Sequence, residues 1–323
     1  MIKKIILSTP FLAILCCILW ATPFVGIKIG LEYMTPLQFA GIRFFLAGLL
    51  ILPFIKDIKY RFRASFKYWK VMLNIALLQT TFLYSLFYIG LNMVPGSVGA
   101  MIVGSGPIFV AITANFMMKD DKMDLQKTVA VLIGVIGVIV VSIAGKNTDS
   151  DPSQNTAVFT GSVSLGIIIL IAKNFLGSMG NVMIARKAGN IYPRVLAAFS
   201  LSFGGALIIV ISQIFEHPVW TLDLPFKFYF TWIWLAMVSS VAIAIWYTLL
   251  QRPGVKVSIL NFWTFLIPIF GAIFSWLILP GEHFNWPSVF GMLIISMSLV
   301  MINYSNRKKS NAAINKVNSP KNM

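Results

Sequence analysis

The chain has 323 residues, of which 58% are hydrophobic and 11% charged, and its mean hydropathy is +0.84. Soluble globular proteins run near half apolar and about a quarter charged. The composition therefore excludes an ordinary soluble enzyme, a disordered chain and a disulfide-stapled secreted domain, and it points to a polytopic helical membrane protein. The formal net charge of +16 comes from 26 Lys and Arg against 10 Asp and Glu. In a soluble protein that balance would suggest nucleic acid. In a membrane protein it indicates basic cytoplasmic loops, and no nucleic-acid partner is expected.

The amino terminus, Met1-Ile2-Lys3-Lys4 followed by an apolar run, has the look of a signal peptide. The run continues past Trp20 to about Gly30 and no small-residue cleavage site closes it. An uncleaved first transmembrane helix is expected. Cys16 and Cys17 are adjacent within this run. Neighbouring cysteines rarely bridge each other, so no disulfide is expected.

Apolar segments of about 20 residues follow one another, near residues 10–30, 35–55, 69–91, 96–118, 125–145, 161–184, 193–214, 228–250, 256–279 and 287–304. They lack the alternation of a membrane β-barrel, so the expected fold is all-α with ten transmembrane helices. A polar linker, 146–160, separates the first five from the last five, and a basic tail, 305–323, reads as disordered.

Basic residues orient the chain. If the amino terminus is cytoplasmic, 21 of the 26 Lys and Arg fall on that side. Lys146 and Lys227 fall on the other, and Lys28, Arg43 and Lys173 lie within spans. This is a strong positive-inside bias, and it puts both termini in the cytoplasm of a cell whose inner or plasma membrane holds the protein.

The halves 1–145 and 161–304 look alike. Pro107 lies in the fourth span, followed by Asp121. Pro268 lies in the ninth, followed at the same spacing by Glu282. Pro36 opens the second span and Pro193 the seventh. Five spans per half is an odd number, so equivalent helices must cross in opposite directions. Such inverted repeats place substrate near the membrane midplane.

Several of these segments resemble a known family. The run Trp20–Gly26 (WATPFVG), then Pro36 and Arg43–Ala47 (RFFLA), is similar to the opening of an EamA-type domain. So are Leu83–Leu91 (LYSLFYIGL), Pro95–Ala100 (PGSVGA), Gly106-Pro107 and the closing Gly134–Gly137 (GVIG). The second half matches more weakly. Gly281-Glu282 fits the usual pair ending a repeat's fourth helix, whereas Asp120-Asp121 departs from it. Ser200 stands where Arg43 would repeat. The resemblance covers about residues 10–304 and is to the ten-helix branch of the drug/metabolite transporter superfamily. It implies movement of small metabolites, often amino acids or their relatives and commonly outward. It also implies a cavity lined by helices 3, 4, 8 and 9, with helices 1, 2, 6 and 7 gating.

Cations in an apolar span are costly and usually face a cavity or a partner. Lys28 can snorkel or pair with Glu32. Arg43 can serve structure or substrate, and Lys173 lies near the middle of its span, beside Asn174. All ten acids fall at span ends or in loops. No buried carboxylate is then available for a cationic drug or for proton coupling, which favours facilitation or exchange of a zwitterionic or anionic substrate.

Aromatic and amide residues within spans can build a pocket or simply pack helices. The candidate substrate-binding set is Trp20, Arg43, Gln79, Tyr84, Tyr88, Lys173, Asn174, Trp246, Asn261 and Trp263. Pro107 and Pro268 are candidate hinges. Trp69, Trp220, Trp232 and Trp286 read as interfacial anchors.

His217 and His283, the only two histidines, lack metal-ligand spacing, and no P-loop or hydrolase motif occurs. No catalytic residue, metal or cofactor is expected. The expected function is a permease exporting an amino acid or related metabolite by alternating access, with that small molecule and the lipid bilayer as partners. Import of such a compound or of a nucleotide-like metabolite is the rival within transport, and an intramembrane transferase is the rival outside it. Substrate, energy source and oligomeric state are not legible.

Overall fold

A computed structural model describes residues 8–117, 125–146, 162–253, 255, 257–280, 283–284, 286–298, 300, 301 and 304. Helices stand at all ten expected positions. In chain order they are α1 (Thr9–Leu31), α2 (Pro36–Phe54), α3 (Trp69–Asn92), α4 (Gly96–Met117), α5 (Leu125–Lys146), α6 (Val163–Lys187), α7 (Pro193–Phe215), α8 (Phe226–Leu250), α9 (residues 257–278) and α10 (Trp286–Ser298). Seven are long and apolar enough to cross a membrane. The apolar stretches of α5, α9 and α10 are shorter, at Thr128–Val140, Leu266–Ile278 and Trp286–Ser298. The linker from 147 onward, the tail, and the acids Asp120, Asp121 and Glu282 lie outside the described residues.

Proline placement sets how these helices start and bend. Pro36 and Pro193 occupy the first turns of α2 and α7, where a missing N–H costs nothing. Pro23 interrupts α1 and cannot donate to the Leu19 carbonyl. The Thr22 hydroxyl donates there instead, at 2.9 Å, so the kinked turn leaves no orphan acceptor. In α4 the helix breaks at Ser105, between Gly96–Gly104 and Gly106–Met117. In α9 a 3-10 turn, Trp263–Phe265, joins Val257–Phe262 to Leu266–Ile278. The candidate hinges Pro107 and Pro268 thus sit beside real interruptions.

The helix pairings have a regular pattern. α2 packs on α7, α4 on α9, α1 on α8 and α3 on α6. α5 meets α10, where the Ser298 hydroxyl donates to the Ala130 carbonyl at 2.6 Å. Exchanging α1–α5 with α6–α10, each for its counterpart, maps this set onto itself. Small residues allow the closest crossings. A Cβ on Gly205 of α7 would lie 2.3 Å from the Phe45 amide nitrogen of α2. A Cβ on Gly104 would lie 2.2 Å from Pro268 Cδ, so the α4 break and the α9 proline ring pack directly together.

One acid departs from the sequence reading. Glu216, expected at a span end or in a loop and not as a buried carboxylate, is 6% exposed. Its carboxylate sits over the first turn of α2 and accepts from the Leu37 and Gln38 amides at 3.0 and 3.1 Å. It also accepts from the Thr35 hydroxyl at 2.6 Å and the Ser212 hydroxyl at 2.8 Å. Orphan N–H groups and the positive end of the helix dipole explain why an anion is stable there. Lys227 pairs with Glu32, at 3.3 Å on the surface.

Gly104→Ala is expected to cost about 1–3 kcal/mol, because neither the broken backbone nor a proline ring can yield easily. A lowered melting temperature of the purified protein, against no change for Gly189→Ala, where nothing lies within 4 Å, is the measurement that checks it.

Candidate functional site

A central cavity of about 160 Å³ lies between the two halves. Pockets for drug-sized ligands run to roughly 300–1,000 Å³, so this space suits a smaller molecule. Residues from α1, α2, α3, α4, α6, α8 and α9 line it. α1, α2 and α6 therefore contribute to the wall alongside the four helices expected to form it.

Arg43, near the middle of α2, is 3% exposed. Its Nη1 donates to Tyr88 Oη at 2.7 Å. Nη2 and Nε donate to Ser239 Oγ at 2.8 and 3.1 Å, and Nε also reaches the Leu235 carbonyl at 3.3 Å. The guanidinium lies 4.9 Å from the Phe44 ring centroid. Its planar fork is thus largely consumed by α3 and α8. Tyr88 stands behind Arg43 and is fully buried, outside the cavity lining. Tyr84 does line the cavity, stacked on Phe44 at 3.9 Å between centroids.

Lys173 contrasts with Arg43. It is half-buried, reaches Asn174 Oδ1 at 3.4 Å and lies 5.5 Å from the Phe87 ring. Among the described residues no carboxylate lines the cavity. Asn174 explains how the α4 break is tolerated. Its Nδ2 donates to the Ile102 carbonyl at 2.7 Å, which also takes the Ser105 hydroxyl at 2.6 Å. The interruption of α4 is therefore tied to α6 beside Lys173.

An amide chain crosses the cavity's other side. Residues Leu77–Phe82 of α3 form a π-helical stretch, and such widened turns re-aim side chains. Gln79 within it donates to the Gly177 carbonyl and to Asn181 Oδ1, both at 3.1 Å. Asn181 donates to Asn261 Oδ1 at 3.0 Å, and Asn261 donates to the Val257 carbonyl at 2.9 Å. The chain joins α3, α6 and α9.

Trp20 and Trp246 meet edge to face at 4.9 Å and close the apolar side with Phe24 and Phe87. Eight of the ten expected residues are brought to one cavity: Trp20, Arg43, Gln79, Tyr84, Lys173, Asn174, Trp246 and Asn261. Trp263 is not among the lining residues, where Asn261 and Thr264 take its place on α9. Pro107 and Pro268 are buried beside the lining Gly106 and Ile267. Sequence reasoning missed Phe87 and Ser239. Phe87 lies three residues after Tyr84 on the same helix face, and the Ser239-Ser240 pair is a polar interruption in an otherwise apolar span. His217 and His283 are exposed, and no metal-holding group of side chains occurs among the described residues.

Tyr88→Phe is expected to lower stability by about 1–3 kcal/mol, since it strips a buried cation of a partner. Thermal unfolding should separate it clearly from Tyr84→Phe, whose hydroxyl takes no hydrogen bond from Arg43.

Residues 7–143 match the EamA-like transporter family, a match that falls on the first five helices. The chain is 25% identical to "Uncharacterized transporter YvbV" of Bacillus subtilis over 95% of each chain. It is 24% identical to a "Probable amino-acid metabolite efflux pump" of Salmonella typhimurium, covering 94% of this chain and 97% of that one. A protein of the same description in Escherichia coli is 25% identical over 89% of this chain and 92% of that one. A crystal structure shares the fold, with TM-score 0.67 and 14% identity over 93% of this chain and 98% of that one. The chain carries an EamA-like transporter domain at residues 7–143 and is a multi-pass membrane transporter rather than an enzyme.

Proposed function

We propose that this transporter exports a small carboxylate-bearing metabolite, an amino acid or a close relative, by alternating access. The observation that carries the proposal is the charge of the cavity. Two cations line it and no acid does, among the described residues. Arg43 is held by Tyr88 and Ser239, whereas Lys173 has one long hydrogen bond to an amide oxygen. Lys173 is therefore the group with donors to spare for a substrate carboxylate. The amides Gln79, Asn181 and Asn261 offer neutral polar contacts, and the Trp20–Trp246 pair an apolar wall.

The name of the Salmonella and Escherichia relatives supports an amino-acid-like substrate and outward movement. The symmetric helix pairings support two five-helix repeats, residues 1–145 and 161–304, joined by the linker 146–160. The basic bias supports a cell inner or plasma membrane location with both termini cytoplasmic. The small cavity disfavours a nucleotide-like cargo in this conformation.

Expression in a sensitive host should raise resistance to toxic amino acid analogues, whereas sensitisation would indicate uptake. On the purified protein, a metabolite panel should raise the melting temperature for carboxylates, because ligands that bind only the folded state stabilise it by mass action. Lys173→Gln should weaken that response about 10- to 100-fold in ligand concentration, the equivalent of one charge-assisted hydrogen bond. Robust transport of quaternary cations by liposome-reconstituted protein would overturn the proposal.

A further inference from the structure

Between α2 and α3 the chain forms a separate short helix, Ile58–Phe66. It links the Phe54 end of one span to the Trp69 start of the next, so it lies at the membrane boundary. The segment 56–70 contains six basic residues and one acid, Asp57.

Residues four apart stack along a helix. Lys59, Arg63 and Lys67 therefore form one row, and Ile58, Phe62 and Phe66 form the adjacent row. Between them the surface forms a shallow, open cleft, lined by Phe62, Arg63, Phe66 and Lys67. Phe66 is 55% exposed, an unfavourable position in water. Arg61 is already engaged, 4.9 Å from the Tyr192 ring. Arg63 and Lys67 make no ion pair among the described residues.

We propose that this cleft is a binding site for an anionic phospholipid, with the phosphate between Arg63 and Lys67 and the glycerol and upper acyl region on Phe62 and Phe66. Basic amphipathic helices with aromatic residues lie in the interfacial plane and gain from anionic headgroups. A free anion would use the basic row but leave the aromatic row exposed. A lipid uses both.

The back of the helix is fixed to the transport core. Tyr192, which precedes α7, donates its amide to Ser65 Oγ at 3.3 Å. Arg194 in the first turn of α7 donates to the Phe54 carbonyl at 2.8 Å. A lipid in the cleft therefore bears on the α2–α7 pair through these contacts. This inference is independent of what the central cavity carries.

The test uses the full-length protein in nanodiscs of phosphatidylcholine alone or mixed with phosphatidylglycerol, and in detergent titrated with short-chain phosphatidylglycerol. Phosphatidylglycerol should raise the melting temperature of the wild type. The double substitution Arg63→Gln, Lys67→Gln should leave the melting temperature in phosphatidylcholine unchanged and weaken the titration about 25-fold, since each interfacial charge contributes about a factor of five. The charge-retaining pair Arg63→Lys, Lys67→Arg should respond like the wild type, and so should Lys227→Gln, at the other end of the bundle. The proposal is overturned if the Gln pair keeps the full response, if Lys227→Gln loses it, or if inorganic phosphate stabilises as well as the lipid does.

Discussion

Arg43 is a permanent cation near the middle of a membrane helix, and the arrangement around it is organised by the need to keep it solvated by protein. Insertion of such a residue costs roughly 2.5–3.5 kcal/mol on biological scales, and more where neither water nor partners are available. Tyr88 from α3, with Ser239 and the Leu235 carbonyl from α8, meets that demand. One side chain of α2 thereby fixes its distance to a helix of its own half and to one of the other half. The cavity lies along the seam that this network holds in register.

The same rule governs the interrupted helices. In hydrocarbon every freed carbonyl needs an internal donor, so a break can persist only where side chains supply one. Thr22 does this for α1, and Ser105 with Asn174 does it for α4. The donors for the α4 break sit next to Lys173. Irregular backbone, polar lining and spare positive charge are consequently co-located. Broken helices at a repeat interface are the usual place for a transport site, and here the local hydrogen bonding explains the coincidence.

Much of the fold was legible because lipid makes sequence signals loud. Ten apolar runs, their proline-marked starts and the likeness of the two halves follow from hydropathy and from backbone chemistry. Arg43 and Lys173 stood out because cations are anomalous in such runs. What the sequence did not disclose was which cation is occupied. Arg43's partners lie 45 and 196 residues away, and no local pattern announces them. Trp263 was a candidate as an aromatic residue within a span, yet the lining at the 263–265 turn comes from Asn261 and Thr264. The π-helical turn that aims Gln79 has no sequence signature. The span-end position of Glu216 was legible, but its burial was not, for a related reason. Its position at a span end suggests solvent, but the amino-terminal turn of α2, some 180 residues earlier, covers it.

That carboxylate has a consequence for symmetry. Helices α2 and α7 are counterparts, so whatever joins the start of one to the end of the other should recur at the opposite membrane face. It does not. At one face Glu216 binds three donors across the junction, from Thr35, Leu37 and Gln38. At the other, Arg194 donates to the Phe54 carbonyl and the Tyr192 amide to Ser65 Oγ, and neither acceptor is a carboxylate. Under the proposed alternating access, with two states exchanged by the pseudo-two-fold axis of the proposed repeats, equal latches would make those states equally populated. Unequal latches would give the proposed cycle a resting preference, set in part by one buried acid.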